Sequence, residues 1–367
     1  MFQYLITVSP LGLMYGSAGA FLSPENLVGR SGAKFPPDAA TLSGLFFSTN
    51  HITQQSIANH IDLAKNLYVA GPFWAERNSP QTFYVPIPRH RIISLEKQNE
   101  DEWFLDEKQH WQRSLDEKKK TLEPDCFWQS IDAWNRPSTT LTTSAKLIRT
   151  NKEAKKVPWE YVSFLHPKIK DDERHVRDKD GLFLENAVQM DEEYCLVYLS
   201  TYALPDGWYR FGGEGHLVEI ASHPLSHDST INKLLGPDNK IQRACALITP
   251  GVWGSNHLSY RYPKHDEFPR HGLKMLTDKA VPYRYRMGNQ RTDPGRLGQG
   301  GRLGRGRYAV PSGTVYIFKK PLNKTWWEFP EEWFPEVRQK EGWQKNKSLF
   351  KKIGCGLCLP IKIQGVS

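Results

Sequence analysis

The sequence predicts an α+β chain built on antiparallel sheets, with more strand than helix. Three observations carry that expectation. Aromatic residues fill 12% of the 367 positions, and 28 Gly and 25 Pro punctuate them. That is the composition of many short strands joined by turns. The first elements run strand, helix, helix, strand, strand, which is how a ferredoxin-like βαββαβ unit opens. Alternating apolar runs return after residue 181 and imply a second α+β unit.

The elements follow from residue spacing. Phe2, Tyr4, Ile6 and Val8 alternate with Gln3, Leu5 and Thr7, the period of a strand. Ser17-Ala18-Gly19-Ala20 resembles a signal-peptidase site, but no basic residue precedes it and the first charged side chain is Glu25. An N-terminal strand is therefore preferred to a signal peptide. Pro36-Pro37 followed by Asp38 starts a helix, with φ preset and a capping carboxylate in place. Leu42, Leu45 and Phe46 then mark its apolar stripe as far as about Asn50. A second helix is expected from Gln54 to Lys65. Strands are expected at Leu67 to Trp74 and Thr82 to Ile87, with a turn at Asn78-Ser79-Pro80 between them.

From Arg89 to about Lys179 the periodicity dissolves. Residues 89–125 carry 8 basic and 10 acidic side chains, and 146–179 carry 10 basic and 6 acidic. These mixtures predict a solvated, decorated insertion in the first unit. Strands resume at Gly181 to Val188 and Tyr194 to Tyr202, where Cys195, Val197 and Leu199 alternate with Leu196, Tyr198 and Ser200. Shorter ones are expected at His216 to Ala221, Arg243 to Thr249 and Val310 to Phe318. The expected division is 1–180 and 181–367, the latter with an Arg/Gly loop at 284–307 and a Trp-rich tail.

No apolar run approaches the length of a membrane helix. Five cysteines in so long a chain argue for a reducing cytoplasm and against a disulfide scaffold. The net charge of +9 favours a polyanionic partner, and its placement is more telling than its sum. Residues 284–307 hold seven arginines, seven glycines and a single acid, Asp293, so +6 of the excess lies there. Glycine admits close backbone approach, and arginine forks onto phosphates and stacks on bases. With Tyr283, Tyr285 and Tyr308 flanking it, nucleic-acid contact is preferred to a merely solvated loop.

Two further segments attract attention. Trp208-Tyr209-Arg210-Phe211-Gly212-Gly213-Glu214-Gly215-His216 suits either backbone approach to RNA or a neighbouring subunit, or a hairpin that needs positive φ. Arg30 and Lys34 flank Gly32 just before the Pro36-Pro37 helix start, a place where an anion would be welcome.

Catalytic and metal patterns are weak. Cys355-x-x-Cys358 has no second Cys/His pair at zinc spacing, and its flanking Gly354 and Gly356 suggest a turn. Pro224 spoils the helix that would align His223 and His227. His257, His265 and His271, near Asp266 and Glu267, read as surface histidines. Gly304-x-Gly306-x-x-Ala309 precedes a strand and opens no helix, so it is not a dinucleotide site. Neither a cofactor nor a metal is expected.

Taken together, the motifs resemble a known family. Phe35-Pro36-Pro37-Asp38 with Thr41-Leu42-x-Gly44 is similar to the first-helix signature of the repeat-associated RAMP proteins of CRISPR systems. Gly71-Pro72-Phe73 and Tyr84-Val85-Pro86-Ile87-Pro88 resemble their second and third strands. Phe211-Gly212-Gly213-Glu214-Gly215 resembles their glycine-rich motif. Leu247-Ile248-Thr249-Pro250-Gly251-Val252-Trp253 and Val310-Pro311-Ser312-Gly313-Thr314-Val315-Tyr316-Ile317-Phe318 complete the set. The order is that of the third-subunit family of type III-B (Cmr) effector complexes, over residues 1 to about 320.

The resemblance implies two ferredoxin-like, RRM-related domains with insertions. It also implies a non-catalytic antiviral-defence subunit that holds the 5′ tag of a single-stranded guide RNA. Its partners would be the large palm-domain subunit and a backbone RAMP subunit. The RNA contacts carried over are Arg30, Ser31, Gly32 and Lys34; Gly212, Gly213, Glu214, Gly215 and His216; and Arg284, Arg286, Arg291, Arg296, Arg302, Arg305 and Arg307. Two departures stand out. The turn at Leu11-Gly12-Leu13-Met14-Tyr15-Gly16 lacks the expected Arg. The tail from Lys319, with Trp326-Trp327, Trp333 and Trp343, lies outside the match and suggests a docking surface. Two rival readings remain. One is a metal-independent endoribonuclease that processes precursor RNA, with His216 as general base and a nearby Arg on the phosphorane. The other is a subunit bridge without RNA contact.

Overall fold

A computed structural model describes residues 1–15, 35–113, 121–135, 153–167, 175, 182–213, 215–255, 257–287, 302–338, 345–346 and 349–366. Arg30, Ser31, Gly32, Lys34, Glu214, Arg291, Arg296 and Trp343 lie outside the described residues.

The chain opens with β1 (Tyr4–Pro10), β2 (Met14–Tyr15), α1 (Ala39–Ile52), α2 (His60–Asn66), β3 (Val69–Glu76) and β4 (Tyr84–Pro86). It continues with β5 (Trp128–Ser130), β6 (Ala154–Lys155), β7 (Trp159–Pro167), β8 (Leu182–Met190), β9 (Tyr194–Ser200), β10 (Gly207–Phe211) and β11 (His216–Pro224). After α3 (Thr230–Leu235) come β12 (Ala244–Leu247), β13 (Lys274–Leu276), β14 (Val281–Tyr283) and β15 (Arg286–Met287). The last elements are β16 (Arg302–Leu303), β17 (Arg307–Ala309), β18 (Val315–Ile317), α4 (Leu349–Lys352) and β19 (Cys358–Pro360).

Two sheets share one strand order. In the larger, eight-stranded sheet the order is β6-β5-β4-β3-β9-β1-β11-β10. Its centre, β3-β9-β1-β11, places the second, third, first and fourth strands of a βαββαβ unit side by side, all antiparallel. The smaller sheet, β13-β18-β12-β19, repeats that order with its own four strands. The protein is thus α+β with two ferredoxin-like, antiparallel sheets.

Side-chain alternation on the central strands explains how they pack. Ile6, Val8, Leu196, Tyr198, Val218 and Ile220 face α1 and meet its Leu42 and Phe46. Leu5, Phe73, Ala75, Cys195, Val197 and Leu199 point the other way, into a core shared with Cys245, Leu247, Val315 and Ile317 of the smaller sheet. The middle strand β9 is therefore buried on both faces, which is why Cys195 to Ser200 reads as a nearly continuous apolar run.

Four expectations need correction. The second helix begins at His60, because Asn59 caps it by accepting a bond from the Ile61 amide, and Gln54 and Gln55 before it take positive φ. Residue 180 is no boundary between sheets: β9, β10 and β11 follow it yet complete the first sheet, since β1 pairs with both β9 and β11. The charged segment 89–179 is more than decoration. Within it, β5 and β6 extend the first sheet. A hairpin, Arg91–Ser94 with Asn99–Glu102, buries Arg91, whose guanidinium bonds Gln129 at 2.6 Å and Glu100 at 3.5 Å. Its charges find partners inside, Arg91 with Glu100 and Asp101 with Arg113, a pattern that composition alone conceals.

The described part of the Trp-rich tail contributes to the core, where the sequence suggests an exposed surface. Trp326, Trp333, Phe334 and Phe350 are fully buried, and β19 closes the smaller sheet against β12. Gly354 shows how tightly this part meets the first sheet. A Cβ there would stand 2.5 Å from the Ala70 Cα and 2.7 Å from the Val69 carbonyl oxygen, and its φ is +71°.

Candidate nucleic-acid interface

The described ends of the arginine–glycine segment form a two-stage antiparallel arm. β14 pairs with β17 at its root, and β15 pairs with β16 farther out, Met287 opposite Arg302 and Arg286 opposite Leu303. The root is built like a core. Tyr283 and Tyr285 are buried, and the Tyr285 ring meets Phe350 edge-on at 5.5 Å. Burial pushes the Tyr285 hydroxyl up to about 12. Cys355 donates its thiol to the Tyr283 hydroxyl at 3.3 Å. Gly304 sits so close to Tyr285 that a Cβ would stand 3.0 Å from its carbonyl oxygen.

The described arginines divide into structural and accessible members. Arg307 is buried, donates to the Ser255 carbonyl at 2.6 Å and lies over the Phe350 ring. Arg284 donates to the Gly304 carbonyl at 2.8 Å and staples the two sides of the arm. Arg305 is exposed, its Nη1 3.4 Å from His257 Nδ1. Along the sequence all three group together as phosphate contacts. Nothing near Arg307 in the chain marks it as different, because Phe350 and Ser255, which hold it, both lie far away.

The glycine segment forms the turn between β10 and β11, with Phe211 opposite His216. Gly212 and Gly215 have φ of +77° and +68°, and the Gly215 amide bonds the Gly212 carbonyl at 3.3 Å. The hairpin reading therefore holds, and the turn leaves room for a close approach. Positive φ is required, and Gly212 and Gly213 are also exposed. A Cβ on Gly212 would find only the Thr41 methyl, 3.9 Å away, and one on Gly213 would find open space.

Thr41 belongs to the first turn of α1, so the glycine turn lies beside the start of that helix. The chain reaches this start directly from the Arg30–Lys34 segment. Phe35 packs edge-on against Trp159 at 5.1 Å, and the Tyr198 hydroxyl donates to the Pro37 carbonyl at 2.6 Å. Asp38 is the N-cap residue. Its carboxylate helps to raise the pKa of two tyrosines whose main cause is burial: Tyr198 under α1 and Tyr283 at the root of the arm. The glycine turn thus lies beside the approach to α1, whereas the root of the arm packs on α4 through Phe350. A cleft of about 760 Å³, walled by Tyr4, Tyr68, Tyr202 and Trp327, lies toward the opposite ends of α1 and α2 and holds none of the candidate residues.

The weak chemical patterns do not assemble. Cys355 bonds Tyr283, whereas Cys358, on β19, interacts with Cys245 on the neighbouring strand, and burial drives the Cys358 thiol far up. All five cysteines are buried and free. Among the described residues no group of three or more His, Cys, Asp and Glu is placed to hold a metal ion. His223 sits on β11 with its Nε2 3.3 Å from the Thr7 hydroxyl. No helix among the described residues is long and apolar enough to cross a membrane.

Comparison with known proteins adds a family. A family model described as CRISPR-associated protein (Cas_Cmr3) matches residues 13–363. The match includes the tail, in keeping with β19 as an integral strand. No curated protein matches the chain. Among solved structures, a chain of a Type III-B Cmr-beta complex bound to cognate target RNA and AMPPnP is 11% identical, with a TM-score of 0.45 over 85% of this chain and 86% of that one. A chain of a Csm1-Csm4 cassette in complex with AMPPNP is 10% identical, with a TM-score of 0.42 over 99% of each. A chain of a Csm3-Csm4 subcomplex from the type III-A interference complex is 12% identical, with a TM-score of 0.38 over 87% of this chain and 97% of that one.

Proposed function

The chain belongs to the CRISPR-associated Cas_Cmr3 family, and on that premise we propose that it is a non-catalytic RNA-binding subunit of a type III-B effector ribonucleoprotein. It holds the 5′ tag of the guide RNA and joins the large palm-domain subunit to the backbone. The observation that carries the RNA contact is the open, exposed glycine turn beside the first turn of α1, with the arginine arm as a second basic element. Single-stranded RNA suits that surface. Backbone N–H groups at an exposed glycine turn accept close phosphate approach, and the arm adds arginines that fork onto phosphates. Arg286, Arg291, Arg296, Arg302 and Arg305 are its contacts in this reading, with Arg30, Ser31, Gly32 and Lys34 beside the helix start. Arg307 and Arg284 hold the arm in shape.

The test is RNA retention by the complex purified with all its subunits. Replacing Arg296, Arg302 and Arg305 with Ala lowers guide-RNA retention and flattens its salt dependence, by a log–log slope of about 0.7 for each phosphate that is no longer neutralised. Retention that is unchanged at every salt concentration removes the arm from the interface. Specific cleavage of repeat RNA in the presence of chelator, abolished in His216→Ala, would instead favour an endoribonuclease.

A further inference from the structure

β10 is the edge strand of the eight-stranded sheet, and its outward face is unusual. Tyr209 and Phe211 point toward α1 and its core. Trp208 and Arg210 alternate with them and face the other side, where the smaller sheet does not reach. Trp208 is 72% exposed. Across the hairpin, Arg210 stands opposite Leu217 and Trp208 opposite Glu219. Leu217 is 50% exposed, and Leu11, 46% exposed, lies beside it and donates its backbone N–H to the Leu217 carbonyl at 3.1 Å. Among the described residues, the side chains of Trp208 and Arg210 make no hydrogen bond or ion pair. Trp208, Leu217 and Leu11 together leave an apolar patch in water, the kind of surface that marks a contact site.

The same two strands end in the glycine turn. The Arg210 guanidinium reaches it, with Nη1 3.8 Å from where a Cβ on Gly215 would stand. A flat aromatic face, a cation and an open turn therefore succeed one another along a single hairpin. We propose that this face is a stacking platform for single-stranded RNA. One unpaired base lies on Trp208, the adjacent phosphate meets Arg210, and the strand passes on to the Gly212–Gly215 turn. The proposal rests on the RNA-binding reading above and extends that site onto a surface outside the arginine arm. Leu217 and Leu11 supply apolar support for the sugar and base edges. Glu219 beside the indole keeps a phosphate off that position, so the phosphate falls at Arg210. Stacking tolerates any base, because every base has a π face.

The test uses the full chain and a fluorescein-labelled oligouridylate of about ten nucleotides, a length within the span of such sites, titrated by anisotropy at several salt concentrations. Trp208→Ala is expected to weaken binding roughly 5- to 100-fold at every salt concentration, leaving the salt slope unchanged. Trp208→Phe keeps a ring and recovers most of that loss. Arg210→Ala lowers the log–log salt slope by about 0.7. Both positions are exposed, so these replacements leave the core intact. Wild-type affinity in Trp208→Ala, while Arg302→Ala with Arg305→Ala still weakens binding, overturns this inference and leaves the RNA-binding reading standing. Absence of binding by the wild-type chain and by its assembled complex overturns both. Intact RNA affinity in Trp208→Ala with loss of a protein subunit from the complex makes the face a protein contact and also overturns it.

Discussion

The Arg307 guanidinium lies 5.3 Å from the centre of the Phe350 ring. This contact joins the end of the arginine–glycine segment to the short helix α4, and it makes Arg307 part of the arm's foundation. Burial, the larger influence, and neighbouring Arg305 both lower the pKa of the guanidinium, so the cation is held by the ring and by the Ser255 carbonyl at 2.6 Å. Arg307→Ala should therefore destabilise the fold by about 2 kcal/mol, the scale of a buried charged hydrogen bond with a cation–π contact. Exposed Arg305→Ala should stay within about 0.5 kcal/mol. Urea unfolding of the two variants checks the contrast, and equal stabilities would refute it.

Gly354 is predicted to be intolerant of any side chain. Its φ of +71° strains an L residue, and the added Cβ would stand 2.5 Å from the Ala70 Cα, which is backbone and cannot turn aside. Gly354→Ala should cost about 3 kcal/mol from strain and overpacking together. Thermal unfolding measures it. A wild-type melting temperature would mean that the two sheets do not meet here.

Gly215→Ala tests the glycine turn. Its φ is +68°, but the turn is open, and the added methyl meets only the flexible Arg210 side chain at 3.8 Å. The cost should be about 1 kcal/mol of local strain. Guide-RNA retention should fall by more than that modest instability explains. Unaltered retention would assign the glycine to hairpin geometry alone.

A pH dependence follows from His90. Burial, reinforced by the adjacent Arg91, lowers its pKa to about 3. The unfolded chain binds a proton near pH 6.5, where the folded chain does not. The neutral ring therefore leaves stability intact above pH 6.5. Stability is lost as pH falls, by about 1.4 kcal/mol per unit, down to about 3. His90→Leu should remove that slope between pH 6.5 and 4.5. Unfolding curves at the two pH values decide, and parallel losses in both proteins would show that His90 is not the source.

Much of this was legible in the sequence. The strand periods of Tyr4 to Val8 and Cys195 to Ser200, the Pro36-Pro37-Asp38 helix start and the glycine hairpin all rest on neighbours within a few residues. Local geometry and local composition are what a sequence displays. The charged hairpin at Arg91 to Glu102 and the three-residue strand at Cys358 were hidden for the opposite reason. Gln129 pairs with Arg91 and Leu247 pairs with Cys358, so each element is stabilised by residues remote in the chain.

By itself, then, the sequence determined the strand-rich class, the family motifs and the concentration of positive charge between Arg284 and Arg307. Only the tertiary structure decided which of those charges face outward. Seven arginines look alike in a row of letters, yet Phe350 and Ser255 take one inside and Gly304 holds another against the arm. The same holds for the tail, where tryptophans that read as an exposed surface form the core of the second sheet. Burial is a property of what lies across the fold, and short strands with distant partners leave little trace of it along the chain.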